Sequence, residues 1–147
     1  MIWFHAAVIF ASYAAFFLAL VTGVAFLAQE RRLKRKDPRV IRSNLIPIEV
    51  LDRVNRWAVI VGFLLFSLGM VEAQILAEKS WGSFWLLDPK VVFCGLTWIA
   101  YATVLWLRVT VGLRGRRVVF MSVMSFLLVM FTFVGVNYFI GGKHVFF

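Results

Sequence analysis

Apolar residues fall in four long blocks along this chain, at about 3–28, 57–77, 91–107 and 118–140, separated by stretches that collect charge, proline or glycine. A helix needs roughly 20 apolar residues to cross hydrocarbon, and each block approaches or exceeds that length. The pattern therefore predicts an all-α integral membrane protein of four transmembrane helices, one membrane domain over 1–147. The first block is closed by Gln29-Glu30-Arg31-Arg32-Leu33-Lys34-Arg35-Lys36, a cluster too costly to hold in lipid. Beyond it, Ile48, Leu51 and Val54 recur at helical spacing behind Pro47, which predicts a short interfacial helix over about 46–56. Asp88 and Pro89 supply an N-cap and a first-turn proline for the third span, and Gly141-Gly142 release the end of the fourth.

Composition agrees with a lipid solvent, because 63% of the residues are hydrophobic, only 16% are charged, and no polar stretch exceeds a connecting loop. A net charge of +9 would suggest nucleic acid in a soluble protein. Here the basic residues are sorted by loop: nine fall in 29–57 and four in 108–117, leaving only Lys79, Lys90 and Lys143 elsewhere. By the positive-inside rule the two basic loops face the cytoplasm, and both termini and the loop around 78–90 lie on the outer, periplasmic side of the cell's inner membrane. The expected surroundings are a lipid bilayer and no nucleic acid. With no basic residue ahead of the first apolar block, that helix is expected to stay in place and not to be cleaved as a signal peptide. Cys94 lies inside an apolar block and reads as a small buried hydrophobe.

This orientation gathers three features at one membrane face. The only two histidines, His5 and His144, mark the outer ends of the first and fourth spans, and Trp81, Phe84 and Trp85 lie in the loop that joins spans two and three. Two imidazoles can serve as axial ligands of haem iron, aromatic rings can cover a porphyrin face, and Lys79, Lys90 or Lys143 can pair with propionates. Taken singly, the tryptophans read as an interfacial belt and each histidine as an interfacial polar residue. Glu72, Gln74 and Asn137 either line a site or meet headgroups, and Met70 reads as packing. No phosphate-cradling glycine loop, zinc-binding helix motif or nucleophile with a neighbouring histidine is present.

The loop Trp81-Gly82-Ser83-Phe84-Trp85-Leu86-Leu87-Asp88-Pro89-Lys90 resembles the external tryptophan-rich signature of the haem-handling cytochrome c assembly proteins of the CcsA, CcmC and HemX types. The likeness continues through Thr97-Trp98-Ile99-Ala100-Tyr101-Ala102, the turn Gly112-Leu113-Arg114-Gly115-Arg116-Arg117, Phe131-Thr132-Phe133-Val134-Gly135-Val136-Asn137, and Gly141-Gly142-Lys143-His144. The resemblance implies that His5 and His144 ligate haem b, with Trp81, Phe84, Trp85, Asp88 and Lys90 in the loop that holds it. It departs at Leu87, where the family usually has tryptophan, and at Val91 and Phe93, where glutamate and tryptophan are common. It also corresponds only to the C-terminal portion of the longer members. The expectation is a non-enzymatic haem-binding membrane protein that works with a membrane partner and presents haem to an apocytochrome. The alternatives are a bis-histidine cytochrome subunit for electron transfer and a haem-free structural or regulatory subunit.

Overall fold

The computed structural model describes residues 2–39, 46–81, 89–113 and 115–140, except the side chains of 80, 81, 136, 137, 139 and 140. They form α1 (Ile2–Lys34), α2 (Ile48–Trp81), α3 (Pro89–Trp106) and α4 (Arg116–Met130). Wider π turns continue α3 over Leu107–Val111 and α4 over Phe131–Ile140. Among the described residues, four helices are long and apolar enough to cross a membrane. Large side chains such as Phe10, Leu64, Ile99 and Leu127 are exposed along them, as they are when the surrounding solvent is lipid.

Each helix end has a local cause. α1 has 33 residues and so rises about 50 Å, more than the ~30 Å hydrocarbon core, and its last turns carry Arg31, Arg32 and Lys34. Lys36 takes φ 50°, the Lys36 N–H donates to Leu33 O and the Asp37 N–H to Arg32 O, a Schellman closure made by a lysine in place of the usual glycine. Pro47 O accepts the N–H groups of Val50 and Leu51, so the proline caps α2, and Glu49 lies in its first turn, where the helix dipole favours an acid. No break separates the 46–56 stretch from the second span. Leu51 is buried against Phe26 and Val119, and this contact packs the stretch onto the bundle as the first turns of α2. Gly112 and Gly115, at φ 70° and 90°, take the left-handed turn that α3 and α4 require between them.

Contacts fix an antiparallel up-and-down order. α2 meets α1 where Gly69 faces Ile9, Gly62 faces Phe16 and Asn55 reaches Ala19. α3 runs back along α2, with Trp98 beside Ser67 and Arg108 beside Asp52. α4 returns along α1, with Val119 and Val123 against Gly23 and Phe133 against Tyr13. The core between them is aromatic: Phe16 and Tyr101 stack at 3.9 Å and 6°, and Phe66 meets Phe16 edge-on at 5.9 Å. Gly62 permits this core, because a Cβ there would come 2.7 Å from two Phe16 ring carbons. Met70 and Cys94 pack against the same cluster, the roles their apolar surroundings suggested.

Candidate functional site

The antiparallel register brings the start of α1, the end of α2, the start of α3 and the end of α4 to one end of the bundle. His5 stands in the second turn of α1, after the exposed Trp3 and Phe4. Its Nδ1 lies 3.7 Å from Glu72 Oε2 on α2, with the two side chains 24% and 26% exposed. The facing atoms themselves are shut off from solvent, and neither has a hydrogen-bond partner. Glu72 read in the sequence as an undistinguished boundary residue. It proves to face the imidazole from the neighbouring helix, and with Phe4, Ile75 and Leu76 it lines a cleft of about 200 Å³. Lys90, half-buried, lies in the first turn of α3 at this same end, whereas Gln74 is exposed.

The Trp81 and Asn137 side chains, together with Phe84, Trp85, Asp88 and His144, lie outside the described residues. Among those that are described, no three His, Cys, Asp or Glu side chains gather to hold a bare metal ion. An axial haem ligand needs no such cluster, since the porphyrin supplies the in-plane nitrogens. His5 fits that role, with a partly open ring, a carboxylate behind Nδ1 and aromatic neighbours on the same turn.

The opposite end holds polar groups that sequence reasoning missed. Arg108 had counted only as a charge of the second basic turn, yet it is buried. Its Nη1 donates to Asp52 Oδ1 at 3.1 Å and its Nη2 to Asn55 Oδ1 at 2.7 Å. Asn55, fully buried, donates from Nδ2 to Ala19 O at 2.7 Å and lies 3.5 Å from Ser122 Oγ. The network ties all four helices. The available signal was Asp52 and Asn55, three residues apart on one face at the start of an apolar helix, but nothing in the spacing named Arg108 as their partner. A wider groove of about 340 Å³, with Leu18, Trp57 and Val61 as walls and Arg53 at its edge, lies along α1 and α2 toward this end.

Four apolar antiparallel helices, joined through a buried polar network and an aromatic core, define a multi-pass helical membrane protein. The chain belongs to the cytochrome c assembly protein family, whose sequence profile matches residues 1–144. It is 29% identical over 163 aligned residues to cytochrome c biogenesis protein CcsA of Prochlorococcus marinus (strain MIT 9312), covering 95% of this chain and 52% of that protein. It is also 36% identical over 103 residues to the protein of the same name from Gloeobacter violaceus (strain ATCC 29082 / PCC 7421), covering 70% of this chain and 30% of that one. The chain thus spans about half the length of the first of these relatives. No solved structure matches it significantly.

Proposed function

We propose that this chain is a haem-holding module of cytochrome c assembly, with its site at the outer face of the cell's inner membrane. In this reading His5 and His144 are the two axial ligands of haem b. Trp81, Phe84 and Trp85 cover the porphyrin, and Lys90 pairs with a propionate, while Asp88 shapes the loop as an N-cap. Both termini lie outside and the two basic loops lie in the cytoplasm, where Arg and Lys are retained. The module holds and presents its cargo without turnover of its own, and its partners are a membrane subunit and an apocytochrome.

The observation that carries the reading is the register. The only histidine among the described residues shares one end of the bundle with both flanks of the aromatic loop and with the end of α4, four residues before His144. Relatives named for cytochrome c biogenesis support the assembly role in this reading. The test is a dithionite-reduced absorption spectrum and a pyridine haemochrome assay on detergent-purified protein supplied with haem. A low-spin spectrum at about one haem b per chain, lost in the double variant His5→Ala, His144→Ala, is the expected result. Haem-free protein, or haem that survives the double substitution, overturns it.

A further inference from the structure

We infer that Glu72 is the positioning residue for His5, accepting a hydrogen bond from Nδ1–H so that Nε2 is the nitrogen left for iron. This rests on the proposed role of His5 as a haem ligand. The carboxylate and the imidazole come from different helices, 67 residues apart in sequence, and present to each other the two atoms that solvent cannot reach. A buried donor or acceptor left unmade costs about 1–3 kcal/mol, and each of these atoms supplies what the other lacks. At 3.7 Å they stand just beyond hydrogen-bond length, and a small rotation of either side chain closes the gap. Such contacts are often long in the unloaded state and tighten when the ligand arrives.

The chemistry follows from the two ring nitrogens. A neutral imidazole carries one proton, and the partner that accepts it decides which nitrogen coordinates. With Nδ1–H directed at a carboxylate, the ring cannot flip to offer Nδ1, and electron density pushed through the ring makes Nε2 a stronger donor. The exposed quarter of the His5 side chain belongs to atoms other than Nδ1. Glu72 is tied to this ring by packing as well. One turn before it Gly69 lets α2 close on Ile9, one turn after His5, so the distance between the two side chains is set by helix contact.

The test separates tautomer from cargo. In the His144→Ala protein a single imidazole remains, and ¹⁵N-histidine NMR at a pH where the ring is neutral reads which nitrogen bears the proton. Nδ1–H is expected in the parent and in Glu72→Gln, whose amide oxygen still accepts. Glu72→Leu, which keeps the bulk and removes the acceptor, should revert to the Nε2–H form that free histidine favours. Haem titration of the two-histidine chain should then show Glu72→Leu binding about 10- to 100-fold more weakly, with Glu72→Gln close to wild type. Circular dichroism and gel filtration verify that both variants fold. An Nε2–H ring in the parent, or a tautomer indifferent to Glu72→Leu, overturns the pairing. Haem binding that is lost in His5→Ala yet untouched in Glu72→Leu overturns the positioning role alone. A Glu72-dependent tautomer in a chain that binds no haem overturns the proposed function, and the positioning role with it.

Discussion

The two ends of the bundle treat buried polar atoms in opposite ways. At one end Arg108, Asp52, Asn55, Ser122 and the Ala19 carbonyl close on one another across four helices, and only Arg108 Nε is left without an acceptor. At the other end His5 and Glu72 approach to 3.7 Å, stay about one-quarter exposed, and leave their facing atoms unbonded beside an open cleft. Satisfied networks in a low-dielectric interior fix a packing arrangement, whereas a pair standing just beyond hydrogen-bond length leaves its own geometry adjustable. The comparison sets a closed structural network at the Arg108 end against the proposed haem site at the His5 end. It can be broken by substitutions that move stability at the wrong end.

The largest effect is expected from Asp52→Ala. Removing the carboxylate leaves the Arg108 guanidinium buried without its counter-charge, a change that costs about 3 kcal/mol when one partner of a buried pair is lost. The low end of that range applies, because the Asp52 side chain is 18% exposed. The double variant Asp52→Leu, Arg108→Leu should recover much of the loss, since it removes both charges at once. Reversible unfolding in mixed detergent and dodecyl sulphate measures both. A double variant as damaged as the single one would show that the pair does more than neutralise itself.

Gly62→Val should cost about 2 kcal/mol by overpacking. The added Cβ alone would come 2.7 Å from the Phe16 ring. That ring cannot yield, because Tyr101 is stacked on it at 3.9 Å and Phe66 meets its other side. The same unfolding assay reads it, and an unchanged midpoint would mean that α1 and α2 pack less tightly than the register requires.

How much of this was legible in the sequence follows from what lipid enforces. The four spans were readable because hydrocarbon admits long apolar helices and little else, and the basic loops marked their breaks. His5 could be singled out as a candidate because histidine is scarce in the chain and stands at a span boundary. The continuity of the 46–56 stretch with α2 was not readable, because Ile48, Leu51 and Val54 form an apolar stripe that suits headgroups as well as it suits Phe26 and Val119. Periodicity states which face is apolar, not what covers it. Arg108 and Asp52 looked like two loop charges because their pairing spans 56 residues, and spacing carries no information about contacts at that range. Glu72 stayed undecided between lining a site and meeting headgroups for the same reason: a carboxylate near a span end is ordinary until a ring from another helix is set beside it.

A smaller effect of opposite sign is expected at the aromatic core between the two ends. The Tyr101 hydroxyl is buried with no hydrogen-bond partner, although its ring is stacked on Phe16. Tyr101→Phe keeps the stack and removes the orphaned group, so stability should hold or rise by about 1 kcal/mol. A loss above that size in the unfolding assay would mean that the hydroxyl has a partner in the membrane, and the core would then belong with the chemistry of the His5 end.

The smallest effect on stability, and the sharpest use of the comparison, is His5→Leu in haem-free protein. The ring gives up one long, weak contact to Glu72 at 3.7 Å, its side chain is part-exposed, and leucine suits both an apolar helix and a lipid-facing turn. The unfolding midpoint should therefore stay within about 0.5 kcal/mol of wild type, as it does for substitutions away from packed or networked sites. With haem supplied the ranking reverses: His5→Leu should lose the low-spin spectrum, while Asp52→Leu, Arg108→Leu should retain it at any detergent concentration where the bundle stays folded. The comparison fails if His5→Leu destabilises the haem-free bundle by as much as Asp52→Ala, for the imidazole would then be part of the scaffold in the same way as the Arg108 network.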